Sequence, residues 1–151
     1  MKLIMDVAPV VAHARAAAPD ECCGILVGHA ALDAIVVERV VRARNVDPEP
    51  RSGYVVAPAD LLAAIASAER GGLDVVGFYH SHPAGPPHLS ERDRALASWE
   101  GAAYVLTTAG TTKRVSVYGR TRDETRKKLT KVLADHHRDR PGGLLARLGP
   151  Q

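Results

Sequence analysis

Aromatic residues make up only 4% of the chain, with one Phe, one Trp and four Tyr among 151 residues. A core therefore has to be filled by Val, Leu, Ile and Ala, and an apolar fraction of 46% is enough to do so. Cysteine is nearly absent. The two present, Cys22 and Cys23, are neighbours, so a bridge between them is strained and no disulfide framework exists. They also lack the spacing of a cysteine zinc site, and they read as core or strand-edge packing in a reducing compartment. No apolar run approaches the length that spans a bilayer. Lys2 and Ala16-Ala17-Ala18 imitate parts of a signal peptide, but Asp6, His13 and Arg15 interrupt the apolar stretch between them. The expected setting is cytoplasmic, with no membrane contact. No Walker or dinucleotide glycine pattern is present. A large excess of one charge is missing too: the net charge is +3 and the pI about 9.1, too mild for a dedicated nucleic-acid binder. The basic residues crowd the segment from Arg120 to Arg147. That crowding reads as a solvated helix face, with a basic surface for an acidic protein partner as the second reading.

Alternating strand and helix signals run through the chain. Val7, Val10, Val11 and Ala14 share one face of a helix predicted over 6–18, which Pro19-Asp20 ends. Gly24 to Gly28 is an apolar run bounded by glycines and reads as a buried strand. Ala34 to Arg44, rich in Val and Ile, reads as a second strand. Asn45 to Gly53 is a loop, and Tyr54 to Ala57 a short strand. Pro58 opens a helix that Gly71-Gly72 closes. Leu73 to Tyr79 is the next strand, followed by a Gly/Pro loop and a helix over Ser90 to Glu100. Ala103 to Thr107 and Lys113 to Tyr118 form a hairpin, and a last helix covers Asp123 to about Arg138. Trp99 and Tyr104 read as core; His13, His29, His136 and His137 read as surface. This order favours an α/β sandwich with a mixed sheet flanked by helices.

The chemistry concentrates between His80 and Asp93. His80 and His82 lie two apart at the end of a strand, so both imidazoles project to one side and can converge on one ion. Asp93, one turn into the following helix, can supply a third ligand, which leaves the fourth position of a catalytic zinc site open for water. Each piece has a plainer reading alone. A pair of loop histidines is commonly surface decoration. Ser90-Glu91-Arg92-Asp93 is also an ordinary helix start, with Ser as N-cap and an acid at the third helical position.

Together the pieces match a known pattern. His-x-His, seven residues, then Ser-x-x-Asp resembles the JAMM motif of the MPN-domain metalloproteases, and His80, His82, Ser90 and Asp93 fit it without a gap. Pro19-Asp20-Glu21-Cys22-Cys23-Gly24 resembles the segment that carries the family's catalytic glutamate. The stretches from Asn45 through Tyr54 to Pro58 and from Val76 to Tyr79 also look like family features. The resemblance covers roughly residues 5 to 118. It implies an MPN fold related to the cytidine deaminases, although the deaminase Pro-Cys-x-x-Cys signature is absent. It implies one zinc ion per chain on His80, His82 and Asp93. Glu21 is then the general base that takes a proton from the attacking water and returns it to the leaving amine. Ser90 helps to stabilise the oxyanion. Without the family context, Glu21 reads as a surface carboxylate before a strand.

The resemblance implies residues 1–120 as the metallopeptidase domain; the helical pattern that follows gives 121–140 as a basic helix on or beside it, and Pro141-Gly142-Gly143 breaks that pattern, leaving 141–151 as a flexible tail. With only six residues between Pro83 and Ser90, the compact form suits members that act on ubiquitin-like sulfur-carrier proteins. The expected substrate is a flexible Gly-Gly tail. Two other functions stay open: a non-catalytic module that holds such a tail, and a zinc hydrolase of small amides or peptides. No motif encodes the oligomeric state, a homodimer among the options.

Overall fold

Two long strands follow from runs of β-branched and apolar residues, and they pair antiparallel within the sheet. In the computed structural model these are β2 (Cys23–Ala30) and β3 (Ala34–Ala43). The structure describes residues 2–97, 99, 101–108 and 111–116. The other elements in chain order are β1 (Lys2–Ile4), α1 (Ala8–Ala17), α2 (Pro58–Arg70), β4 (Asp74–His82), α3 (Glu91–Leu96), β5 (Ala103–Thr108) and β6 (Thr111–Ser116). The six strands form one mixed sheet in the order β1-β3-β2-β4-β5-β6. The pairings β1–β3 and β4–β5 are parallel, and the rest are antiparallel.

Strand alternation sends successive side chains to opposite faces, and each face meets its own helix. Cys23, Ile25, Val27, Phe78 and Tyr104 pack against Ala64, Ile65 and Ala68 of α2. Cys22, Leu26, Val76, Tyr79 and Val105 pack against Val10 of α1, with Ala14 and Ala17 beside it. The scarce aromatics are concentrated in these layers. Phe78 meets Trp99 edge-on at 4.8 Å and stacks on Tyr104 at 5.8 Å. Gly77, on the central strand β4, lets β5 approach: a Cβ there would lie 2.3 Å from the Ala103 carbonyl oxygen. Because that obstacle is backbone, Gly77→Ala is expected to cost at least about 1–3 kcal/mol, read from the urea midpoint at unchanged slope.

The α/β sandwich expected from sequence is the fold observed, with several local differences. The strand expected over Tyr54 to Ala57 reduces to one isolated bridge between Asn45 and Val56. The histidine pair lies inside β4 rather than beyond its end, because β4 runs on to His82 alongside β5. The helix expected from Ser90 to Glu100 stops at Leu96. Three-residue β1 gave no sequence signal of its own. His13 is not a free surface residue: it is half-buried, with Nδ1 2.7 Å from the buried Tyr79 hydroxyl. Cys22 and Cys23 are buried free thiols, as expected, and burial pushes Cys23 up to about 12. Among the described residues no helix is long and apolar enough to cross a membrane. The basic helix expected within 121–140 and the tail over 141–151 lie outside the described residues.

Candidate active site

The register of two antiparallel strands assembles the site. Cys23 pairs with His80, so Glu21, two residues earlier, comes level with His82. Both pairs then face the α2 side of the sheet. Cys22 is stitched to β4 between the histidines: its N–H donates to Ser81 Oγ at 2.8 Å, and its carbonyl accepts from Ser81 N at 3.1 Å. The loop after β4 folds back through Gly85, which packs against the His82 ring, and delivers α3. Ser90 caps that helix. Its Oγ accepts from Asp93 N at 3.0 Å, while Asp93 Oδ2 accepts from Ser90 N at 2.8 Å. The cap thus aims the Asp93 carboxylate away from solvent and toward the histidines.

Three donor atoms converge there. His80 Nε2 and His82 Nε2 are 3.2 Å apart, and Asp93 Oδ2 lies 3.3 Å from the first and 3.0 Å from the second. All three residues are buried, and their ligand atoms could hold one metal ion. The spacing fits zinc. Zinc–ligand bonds of about 2.0–2.1 Å at the tetrahedral angle put neighbouring donors about 3.3–3.4 Å apart. The hydrogen bonding fits as well. His82 Nδ1 lies 2.9 Å from the Pro86 carbonyl oxygen, which fixes the proton on Nδ1 and leaves a lone pair on Nε2 of the neutral ring. That lone pair faces a carboxylate oxygen and a second imidazole. Only a shared proton or a cation reconciles these groups. His80 stacks on Tyr54 with centroids 4.3 Å apart and planes 21° from parallel, which locks its ring.

The electrostatics reflect the same competition. Burial alone would raise the Asp93 carboxyl, but hydrogen bonds from His80, His82 and the Ser90 N–H outweigh it and hold Asp93 well below the usual carboxylate range. Burial lowers His80, against the pull of Asp93. His82 is raised, chiefly by its hydrogen bond to Asp93. Glu21 is buried with Oε1 3.6 Å from His82 Nε2, and its Oε2 has no hydrogen-bond partner among the described residues. Burial raises its carboxyl to about 7, with His82 pulling the other way. A divalent cation beside it would lower it again.

The family model for prokaryotic homologs of the JAB domain matches residues 7–128. The chain belongs to the prokaryotic JAB-domain family. A desampylase from Haloferax volcanii is 40% identical over 101 residues, which make up 64% of this chain and 71% of that relative. A probable TtuB-protein conjugate cleaving protease from Thermus thermophilus is 38% identical over 99 residues, or 66% of this chain and 64% of that protein. The solution structure of a protein from Desulfitobacterium hafniense, 26% identical, superposes with a TM-score of 0.64 over 80% of this chain and 93% of that one.

All five residues singled out in the sequence, Glu21, His80, His82, Ser90 and Asp93, meet at this one place in the JAB domain. His88, in the loop before α3, is exposed. Sequence reasoning gave no individual role to Ser81, Asn45, Asp47 or Arg92. Arg92 Nη2 reaches across to Asp47 Oδ2, tying α3 to the loop after β3. An Asn inside a Pro- and Gly-rich loop was the available signal, because such a residue often organises the turn with its side chain.

Proposed function

We propose that the protein is a zinc metallopeptidase that hydrolyses a peptide or isopeptide bond at the C-terminal tail of a ubiquitin-like protein of the sulfur-carrier kind. The observation that carries this reading is a triangle of donors at zinc spacing, with a buried carboxylate oxygen beside it that has no partner among the described residues. His80, His82 and Asp93 are the residues that would hold the metal. A zinc ion there supplies Lewis acidity, acidifying water and polarising the scissile carbonyl. Glu21 accepts the proton of the attacking water and hands it to the leaving amine, work for which its buried carboxylate, with Oε1 3.6 Å from His82 Nε2, is placed. The substrate class is supported by two relatives, one named a desampylase and the other named for cleaving protein conjugates. An extended tail is the form in which a chain can lie along a strand edge beside such a site. Turnover of a ubiquitin-like conjugate should exceed that of a free short peptide at equal concentration by at least about tenfold in kcat/KM, or about 1.4 kcal/mol of added transition-state binding. Equal rates would leave a general peptidase, and no hydrolysis of either by zinc-loaded protein would leave a binding module.

Ser90 carries two roles in this reading. Its Oγ accepts from Asp93 N as the helix cap, and its hydroxyl proton remains available to donate to the carbonyl oxygen as charge develops there. Ser90→Ala is expected to lower stability by about 0.5–2 kcal/mol through the lost cap. It is also expected to slow turnover by about 10²–10³-fold through the lost donor. Ser90→Asp separates the two, since Asp caps as well as Ser but does not donate when ionised. That variant should melt near the parent temperature, with normal zinc content, while turnover falls at least as far as in Ser90→Ala. Parental turnover in Ser90→Asp would reduce Ser90 to a cap.

A further inference from the structure

Glu21 lies outside the β ladder, because β2 begins two residues later at Cys23. Its backbone groups therefore need partners from elsewhere. Both come from the loop after β3. Glu21 N donates to the Pro50 carbonyl at 2.7 Å, and the Glu21 carbonyl accepts from Asn45 Nδ2 at 3.0 Å. The same Nδ2 donates to the Gly53 carbonyl at 2.9 Å, and Asn45 Oδ1 accepts from Asp47 N at 3.1 Å and Val55 N at 3.0 Å. One amide thus spends its full hydrogen-bonding capacity on Glu21 and on the two limbs of its supporting loop. The outer end of that loop is clamped to α3: Asp47 pairs with Arg92, the residue before Asp93, and Asp47 Oδ1 accepts from Glu49 N at 2.9 Å. Gly53 closes the clamp, since a Cβ there would lie 2.0 Å from Arg92 Nη1.

The carboxylate has little to hold it at its own end. Among the described residues Oε2 has no partner, and Oε1 is 3.6 Å from His82 Nε2, beyond hydrogen-bond distance. Its position is set through its main chain. We propose that Asn45 is the positioning residue for Glu21, fixing the reach of that carboxylate toward the His80–His82–Asp93 triangle while touching neither substrate nor metal ligand. The inference rests on Glu21 serving as the base.

Asn45→Asp is the sharpest test. It is isosteric and keeps both acceptor bonds, but it replaces the two donations to Glu21 and Gly53 with an oxygen facing two carbonyls. Per folded molecule, well below the melting temperature, kcat should fall by about 10- to 100-fold, the scale on which small misplacements of reacting groups act. KM should stay within about threefold, as expected when only transition-state stabilisation is lost, and zinc content should stay at one per chain. Introduced into Glu21→Gln, the same substitution should slow turnover by less than about twofold, because residues that act through one group are non-additive. A full, additive loss in the Glu21→Gln background, or an unchanged kcat with only a lower melting temperature, would overturn the proposal and leave Asn45 a loop brace. If Asn45→Asp does not fold, Arg92→Gln loosens the same loop from its other end. It should show the same pattern at about 3- to 10-fold in kcat, vanishing in the Glu21→Gln background, and an additive loss there overturns the proposal equally. Should Glu21→Gln itself leave turnover intact, the assignment of the base fails, a result separable from either of these.

Discussion

A His80→Ala, His82→Ala double variant should bind no zinc by elemental analysis and show no turnover above background. Two of the three donors in the triangle are imidazole nitrogens, and a single carboxylate does not hold zinc in competition with water and buffer. The effect should also appear without any substrate. A ligand that binds only the folded state at a hundred times its dissociation constant stabilises by about 2.7 kcal/mol. For a domain of this size that corresponds to roughly 5–10 °C in Tm. Adding a chelator to the parent should therefore lower its Tm by about that amount and leave the double variant unmoved. The double variant should in addition melt below the metal-free parent, since His80 is fully packed against Tyr54 and its truncation leaves a cavity. Full zinc occupancy in the double variant, or a parent whose Tm ignores the chelator, would remove the metal site from this part of the molecule.

Glu21→Gln should keep the fold and the zinc but lose about 10²–10⁴-fold in kcat, the usual worth of a positioned general base. Gln has the shape of Glu, and the buried site tolerates it because the Glu21 carboxylate makes no close hydrogen bond that the amide would forfeit. The metal triangle does not include Glu21, so zinc content should be that of the parent. A loss of less than about threefold would show that another group takes the proton, since it lies below the smallest effect expected of a general base. The chelator and the Glu21→Gln variant thus divide the mechanism: one removes the Lewis acid with the base in place, the other removes the base with the ligands in place.

Much of this was present in the sequence. The spacing of His80, His82, Ser90 and Asp93 depends on local geometry alone. Alternation along a strand puts the two imidazoles on one side, and a capped helix start puts the acid at its third position back over its own first turn. The helix from Pro58 to Arg70 was bounded at both ends by residues whose backbone preferences do not depend on tertiary context. The hydrophobic runs of the central strands gave the α/β class for the same reason.

Other features were decided only when distant segments met. Nothing local distinguishes Glu21 from a surface carboxylate. It faces the histidines because β2 pairs with β4 in the register that sets Cys23 against His80, and a slip of one residue would turn it to the other face of the sheet. The sequence pattern places His13 at the surface because its partner, the Tyr79 hydroxyl, is 66 residues away. The expected strand over Tyr54 to Ala57 became a single bridge because the Asn45 side chain captures the Val55 N–H that a ladder would have used. The clamp from Asp47 to Arg92 links two segments 45 residues apart. Local chemistry determined which groups this protein has available for catalysis. Long-range pairing determined where they point, because a register or a cross-chain hydrogen bond is fixed only once the whole sheet has formed.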